Sequence, residues 1–310
     1  MRIVSLLPSA TEIVCAIGLE ANLVGVTHEC DWPPSVKLLP KVTRTLIPHD
    51  ASGAEIDRLV REQLGAKSAL YTLDMDLLER LRPDLLITQA LCDVCAVPEA
   101  EVTAAACALP GQPVVVNLEP MTLEEVLGSM IEVGRAAGCE AAALAAVAKL
   151  RARISTVERV TAEISAAAWP RVAFLEWIDP LFNGGHWNPG IIQMAGGIDL
   201  LGNPGRPSRT VSHQELCDSM PEVIFVACCG FSTARALQDL GALQRIDGWM
   251  DLPAVQNGRI YFTDGAAYFS RPGPRLVDSL EILAHALHPE EHSLPPGLPA
   301  AEVPPYGPED

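Results

Sequence analysis

The run from Glu140 to Ala167 constrains this chain more than any other stretch. Leu144, Val147, Leu150, Ile154, Val157, Val160 and Ile164 recur at steps of three and four, the period of one face of an α-helix. At 1.5 Å per residue, the helix predicted there is about 40 Å long, more than a crossover helix needs to span one sheet. Segments that alternate strand and helix patterns flank it on both sides. The chain therefore reads as two Rossmann-like α/β lobes bridged by one long helix: a first lobe over 1–138, the bridge over 139–168 and a second lobe over 169–288. The competing arrangement is one doubly wound domain that carries a long surface helix.

Composition sets the bounds on this scheme. With 310 residues, 49% of them hydrophobic, there is chain enough for two cored lobes. A formal net charge of −17 argues against nucleic acid or anionic membrane as partner, because a negative surface repels phosphate. The amino-terminal apolar run is broken by Pro8 and Glu12 and has no small-residue cleavage site, so it reads as a first strand and helix and not as an export signal. The chain as given is expected to be cytosolic, and periplasmic or extracellular only if the start is incomplete. Nine cysteines at irregular spacings suit reduced thiols better than a disulfide framework. The tail 289–310, rich in Pro, Gly and acids, is expected to be disordered.

Short apolar runs mark the strands, and each is followed by a polar or aromatic loop. In the first lobe, Ile3–Leu7 leads into Pro8 and a capping-box pattern at Ser9 and Glu12, Leu23–Val26 leads into His28-Glu-Cys30-Asp31-Trp32-Pro-Pro, and Leu85–Thr88 leads into Gln89-Ala-Leu-Cys92-Asp-Val-Cys95. In the second, Val172–Leu175 runs into Glu176-Trp177-Ile-Asp179-Pro180-Leu-Phe182-Asn-Gly-Gly-His186-Trp187. Val223–Ala227 ends in Cys228-Cys-Gly-Phe231, and Arg259–Phe262 in Asp264-Gly-Ala-Ala-Tyr268-Phe-Ser-Arg271. Parallel sheets bind ligands outside the carboxyl ends of their strands. Three of the five tryptophans fall in these loops, as expected of a cleft for a large flat or apolar ligand, since indole offers rigid stacking area and one donor.

Enzyme signatures are sparse. There is no phosphate-binding Gly-x-x-x-x-Gly-Lys-Ser/Thr loop and no strand-linked Gly-x-Gly-x-x-Gly. Gly230-Phe-Ser-Thr-Ala234 lacks the closing glycine of a nucleophile elbow. His28, Cys30, Cys92 and Cys95 carry the donor types that zinc or iron prefers, and the Cys92-x-x-Cys95 pair also suits redox work. A cytosolic Zn- or Fe-binding redox protein or metalloenzyme built on these four is the alternative function. Packing of small buried thiols explains the same residues without a metal.

The order of motifs resembles the cobalamin- and iron-siderophore-binding proteins of ABC importers, most of all the vitamin B12 binders. The likeness rests on Arg2-Ile-Val-Ser-Leu-Leu-Pro8-Ser-Ala-Thr-Glu12, Gly25-Val-Thr-His-Glu-Cys-Asp31-Trp-Pro-Pro34, Leu81-Arg-Pro-Asp-Leu-Leu-Ile87, Ala195-Gly-Gly197, and Val211-Ser212 through Pro221-Glu-Val-Ile224, over roughly residues 1–287. It implies a non-enzymatic binder of a cobalamin, related corrinoid or similar metal chelate, clamped between two lobes with little hinge motion. By similarity, Pro8, Asp31 and Trp32 of the first lobe and Trp177, Asp179, Pro180, Asp264, Tyr268 and Arg271 of the second line the pocket. Phe182 and Trp187 add apolar area; Cys228-Cys229 and His186 are candidate axial ligands to a metal-centred cofactor, and His186 equally suits capping a turn. The resemblance also implies docking on a permease through one acidic side chain per lobe, here Asp74 or Asp76 and Glu215. The thiols and the Gly-Gly-His186-Trp187 segment depart from the general pattern and point to a cytosolic branch with its own ligand chemistry.

Overall fold

The computed structural model describes residues 1–45, 53–65, 71–89 and 99–304. The chain divides into two compact units, Met1–Pro120 with Glu124–Lys149, and Met121–Leu123 with Leu150 onward.

The first unit carries, in order, β1 (Ile3–Ser5), α1 (Pro8–Ala16), β2 (Leu23–Val26), β3 (Thr43–Thr45), α2 (Gly53–Gly65), β4 (Tyr71–Leu73), α3 (Met75–Leu81), β5 (Leu85–Thr88), α4 (Glu99–Ala108), β6 (Val114–Asn117) and α5 (Leu123–Ala136). Four strands form a parallel sheet in the order β2-β1-β5-β6, while β3 and β4 pair antiparallel beside it. Every residue of β1 and β5 is buried, which is why these strands read as continuous apolar runs without alternation. Val4, Leu6 and Leu86 of the sheet pack with Leu78, Val102 and Leu109. Helix α1 begins on Pro8 with Leu7 as its cap, a position that suits a residue with no N–H to leave unsatisfied. Ser9 and Glu12 are therefore buried helix residues and not the cap expected of them.

The second unit carries β7 (Arg171–Trp177), β8 (Phe182–Asn183), β9 (Gly185–His186), α7 (Asn188–Met194), β10 (Ile198–Asp199), β11 (Asn203–Pro204), α8 (His213–Asp218), β12 (Val223–Val226), α9 (Thr233–Leu237), α10 (Leu240–Gln244), α11 (Pro253–Gln256), β13 (Ile260–Phe262), a π-helical turn over Gly265–Phe269 and α12 (Leu276–Leu287), after the helix α6 (Glu140–Glu163). Its main sheet is β10-β7-β12-β13, all parallel, with β8 antiparallel on β7. Phe174, Phe225 and Phe269 meet at ring distances of 5.3 to 5.6 Å and centre its core. The two main sheets are separate, so the single doubly wound domain does not form.

Helix α6 has 24 residues, about 36 Å at 1.5 Å each, and the boundary between the units falls inside it. It is shorter than the predicted span, since Ala166–Ala168 form a separate 3₁₀ turn. Its buried stripe runs Ala143, Val147, Val157 and Thr161, with Leu150 and Ile154 half-buried; Leu144, predicted to lie on it, is 50% exposed. The shift by one residue follows from Gly134 of α5, where any Cβ would come within 2.4 Å of the Ala143 Cβ; the close approach accepts alanine and not leucine. Farther along, Arg153 of α6 is bonded to Asp278 and Glu281 of α12.

Residues 289–304 of the tail are ordered, where disorder was expected; 305–310 lie outside the described residues. Phe262 N–H donates to Glu302 O (2.8 Å) and Glu302 N–H to Phe262 O (2.7 Å), so residues around 302 cover the open edge of β13, which otherwise presents unpaired backbone groups. His288 and His292 are buried as well. The tail stays because these few contacts fix it, a feature that composition does not carry.

Candidate ligand-binding site

The chemistry-bearing residues of the second unit gather at the carboxyl ends of β7, β12 and β13. Trp177, the last residue of β7, turns its indole N–H onto the carbonyl of Asp179 (3.0 Å) and packs on Phe231 at 4.8 Å. The Arg235 guanidinium lies over the Phe231 ring, 4.3 Å from its centroid, an attraction between a cation and the negative face of the ring. Phe182 is paired beside Trp177 through β8. Asp179 is exposed and Pro180 half-buried. After β13, Asp264 caps the π-helical turn by accepting from Ala267 N–H (2.7 Å), and Arg275 stacks on Tyr268 at 4.5 Å. Gly265 makes this packing feasible: a Cβ there would sit 2.2 Å from the Cys228 carbonyl oxygen. Tyr268 and Arg271 are both half-buried.

A buried carboxylate organises the neighbouring loop. Glu176 Oε1 accepts from Gly185 N–H (2.8 Å) and Asn188 Nδ2 (2.7 Å), and the carboxyl also bonds Ser208. Burial pushes the Glu176 carboxyl up, and the donors from Gly185, Asn188 and Ser208 pull it back, since burial disfavours charge and hydrogen bonds favour it. One side chain thus ties together the β9 turn, the start of α7 and the loop after β11. His186 sits in that turn with φ of +50°, the left-handed region that costs a residue with a Cβ of order 1–3 kcal/mol. Its ring stacks on Trp187 at 5.2 Å. Trp187 is 6% exposed, and its indole donates to Phe269 O (2.8 Å). Trp187 is thus a tie between the loop and the turn after β13, where open stacking area was expected.

In the first unit, Pro8 opens α1 at the carboxyl end of β1, and Asp31 and Trp32 are exposed on the loop after β2, Trp32 by 47%. His28 Nδ1 lies 2.8 Å from Thr43 Oγ1, with Tyr71 at a ring distance of 5.4 Å. Cys30 is buried, its sulfur 3.1 Å from Thr11 Oγ1. Cys92 and Cys95 lie outside the described residues. Among the described residues no group of three His, Cys, Asp or Glu side chains is placed to hold a metal ion, so the four-residue metal centre gains no structural support. Two of the described thiols, Cys15 and Cys228, are poor nucleophiles. Burial pushes Cys15 up to about 12 and Cys228 far above its ordinary value, and the thiolate is the reactive form.

The acidic docking candidates have local duties. Asp74 caps α3 by accepting from Leu77 N–H (2.9 Å) and faces Arg44 at 3.7 Å. Glu215 closes a capping box with Ser212 and pairs with Arg209 at 3.0 Å. Asp76 is exposed on the first turn of α3. Sequence reasoning passed over Glu176, Phe231 and Arg235. Their signal was position alone: the first two fall within strand-end motifs, and Arg235 lies one helical turn beyond Phe231.

Comparison with known proteins agrees with this architecture. The vitamin B12-binding protein of Vibrio cholerae is 24% identical over 285 residues, covering 90% of this chain and 86% of that protein. An uncharacterized ABC transporter substrate-binding lipoprotein of Bacillus subtilis, YvrC, is 23% identical over 308 residues, covering 93% and 80%. The periplasmic heme-binding protein RhuT of Roseiflexus sp. RS-1 superposes with a TM-score of 0.70 at 23% identity, over 93% of this chain and 98% of that one. A family model described as periplasmic binding protein matches residues 3–267. Two separate parallel sheets, a helix that continues from one unit into the other, and that match over most of the length make this chain a member of the periplasmic binding protein family, a non-enzymatic binder of a small-molecule solute.

Proposed function

We propose that the solute is a metal-centred tetrapyrrole, a cobalamin or related corrinoid in first place, held at the strand-end loops and handed to an ABC importer permease. The observation that carries this is the cluster of Trp177, Phe231 and Arg235, with Tyr268 and Arg275 paired after the neighbouring strand. Flat rings suit a large planar ligand, and the guanidinium groups suit its polar periphery. Trp32, exposed on the first unit, offers further ring area in this scheme. Full-length similarity to vitamin B12-binding proteins supports the corrinoid. Heme is the second reading, favoured by the structural likeness to a heme-binding protein. Docking on the permease falls to Asp76 and Glu215, one on each unit. Calorimetric titration with cyanocobalamin, hydroxocobalamin and hemin tests the proposal. One ligand per chain at micromolar affinity or tighter, about −8 kcal/mol or better, is expected; no binding of any of the three refutes it.

A further inference from the structure

Three histidines gather where the carboxyl-terminal segment leaves α12. His285 lies in the last turn of that helix, His288 caps it, and His292 begins the segment that runs on to Glu302. The His292 N–H donates to the His288 carbonyl (2.9 Å), and the two rings stand 6.4 Å apart. Each of the three rings spends one N–H on an oxygen. His285 Nδ1 donates to the carbonyl of His292 (2.8 Å) and His288 Nε2 to that of Gly196 (2.9 Å), since a carbonyl only accepts. The Thr161 hydroxyl gives its proton to Met194 O (3.0 Å) and so accepts from His292 Nε2 (3.1 Å). Gly196, at φ +81°, admits this packing, because a Cβ there would come within 2.9 Å of His288 Nε2. In each ring the second nitrogen is the one that takes up a further proton. Acid therefore leaves these bonds in place and adds positive charge beside them. His288 and His292 are each 7% exposed, and burial disfavours that charge.

The surroundings do little to offset it. Helix α6 presents the uncharged Thr161, and its flanking charges, Glu158 and the Arg159–Glu163 pair, are exposed. The end of α7 presents only the carbonyls of Met194 and Gly196. On α12, Glu281 is taken by Arg153, and the Arg259 guanidinium, bonded to Leu287 O (2.9 Å), adds a further cation at the end of that helix. Glu290 and Glu291, the acids of the segment itself, are exposed. We infer that His285, His288 and His292 form an acid-released latch: at neutral pH they fasten the segment whose Glu302 covers the β13 edge, and their protonation drives that segment off. Burial first, then His288 and His285, hold the His292 imidazole below its ordinary 6.5, against an opposing pull from Glu291. The released segment thus binds more protons than the fastened one as pH falls below that value, so acid favours release. Release bares the unpaired backbone groups of the strand edge, whatever the solute.

Amide hydrogen exchange on the full chain, compared between about pH 7.5 and about pH 5 as protection factors, tests the latch. The Phe262 and Glu302 amides, which bond each other's carbonyls, report the segment, and the Phe225 amide in the buried strand β12 reports the core. The expected result is a fall in protection of about tenfold or more at Phe262 and Glu302 on acidification, with a change under about twofold at Phe225. His292→Gln and His288→Gln each keep a side-chain N–H donor and cannot take up a proton near these pH values; in each the fall shrinks to under about threefold. Protection at Phe262 and Glu302 that holds in the wild type under acid, a fall shared by Phe225, or an equal fall in the wild type and both variants overturns the inference. Where a glutamine variant fails to fold, NMR titration of the wild-type histidine rings decides. The His292 ring is expected to take up its proton over the interval in which protection is lost, and a ring still neutral after that loss overturns the latch.

Discussion

Replacing Arg153 with alanine tests how the second half of the long helix is held. Arg153 Nη2 lies 2.5 Å from Asp278 Oδ1 and 2.5 Å from Glu281 Oε2, and Nε lies 3.0 Å from Glu281 Oε1. The two carboxylates are 18% and 11% exposed, and the arginine 38%. Removing one partner of a fully buried pair costs about 3–5 kcal/mol, and an exposed pair is worth under about 1 kcal/mol. With buried acids and a partly wetted base, the expected loss is about 2–3 kcal/mol, or roughly 5–10 °C in Tm for a unit of this size. The pH dependence is specific. Burial raises Asp278 from its ordinary 3.8, and Arg153 pulls it down. A raised carboxyl binds its proton more readily in the native state, so stability falls as pH rises through the window above 3.8. Without Arg153 the folded value climbs further, so the deficit is full near neutral pH and shrinks as the medium is acidified toward about pH 5. Urea titrations monitored by circular dichroism at both pH values measure it. A deficit under 0.5 kcal/mol, or one of equal size at the two pH values, refutes the reasoning.

Three further outcomes are expected. Gly265→Ala should destabilise the second unit by about 1–3 kcal/mol, because its Cβ meets the Cys228 carbonyl at 2.2 Å; thermal unfolding reads the loss. Deleting residues 293–310 should remove the Glu302 contacts with Phe262 and expose the β13 edge, lowering Tm and raising light scattering, whereas unchanged scattering speaks against an edge-covering role. Cys15 and Cys228, held as thiols by burial, should react with Ellman's reagent only after unfolding, and prompt labelling of either in the native protein contradicts their assignment as inert.

How far the sequence went depended on the kind of signal. The strands were legible because they are buried on both faces and leave unbroken apolar runs, and the long helix because its stripe repeats over six turns. The stripe was placed one residue off at Leu144, since only the packed structure shows Gly134 pressing on Ala143. Trp187 was assigned to an open pocket because an indole in a loop suggests stacking; its hydrogen bond to Phe269 joins residues 82 apart in sequence and has no local signature. Glu176 was unreadable for a like reason, as its three donors come from segments 9 to 32 residues downstream. The order of residues 289–304 depends on the Phe262–Glu302 backbone pair and on the contacts of His292, none of which has a local signature.

The most direct test of ligand capture is the affinity for hydroxocobalamin of Trp32→Ala and Trp177→Ala. Each variant should weaken binding by about tenfold, about 1.4 kcal/mol of lost ring contact, with the fold intact by circular dichroism. If either substitution leaves the affinity of a binding-competent protein unchanged, that tryptophan does not contact the ligand.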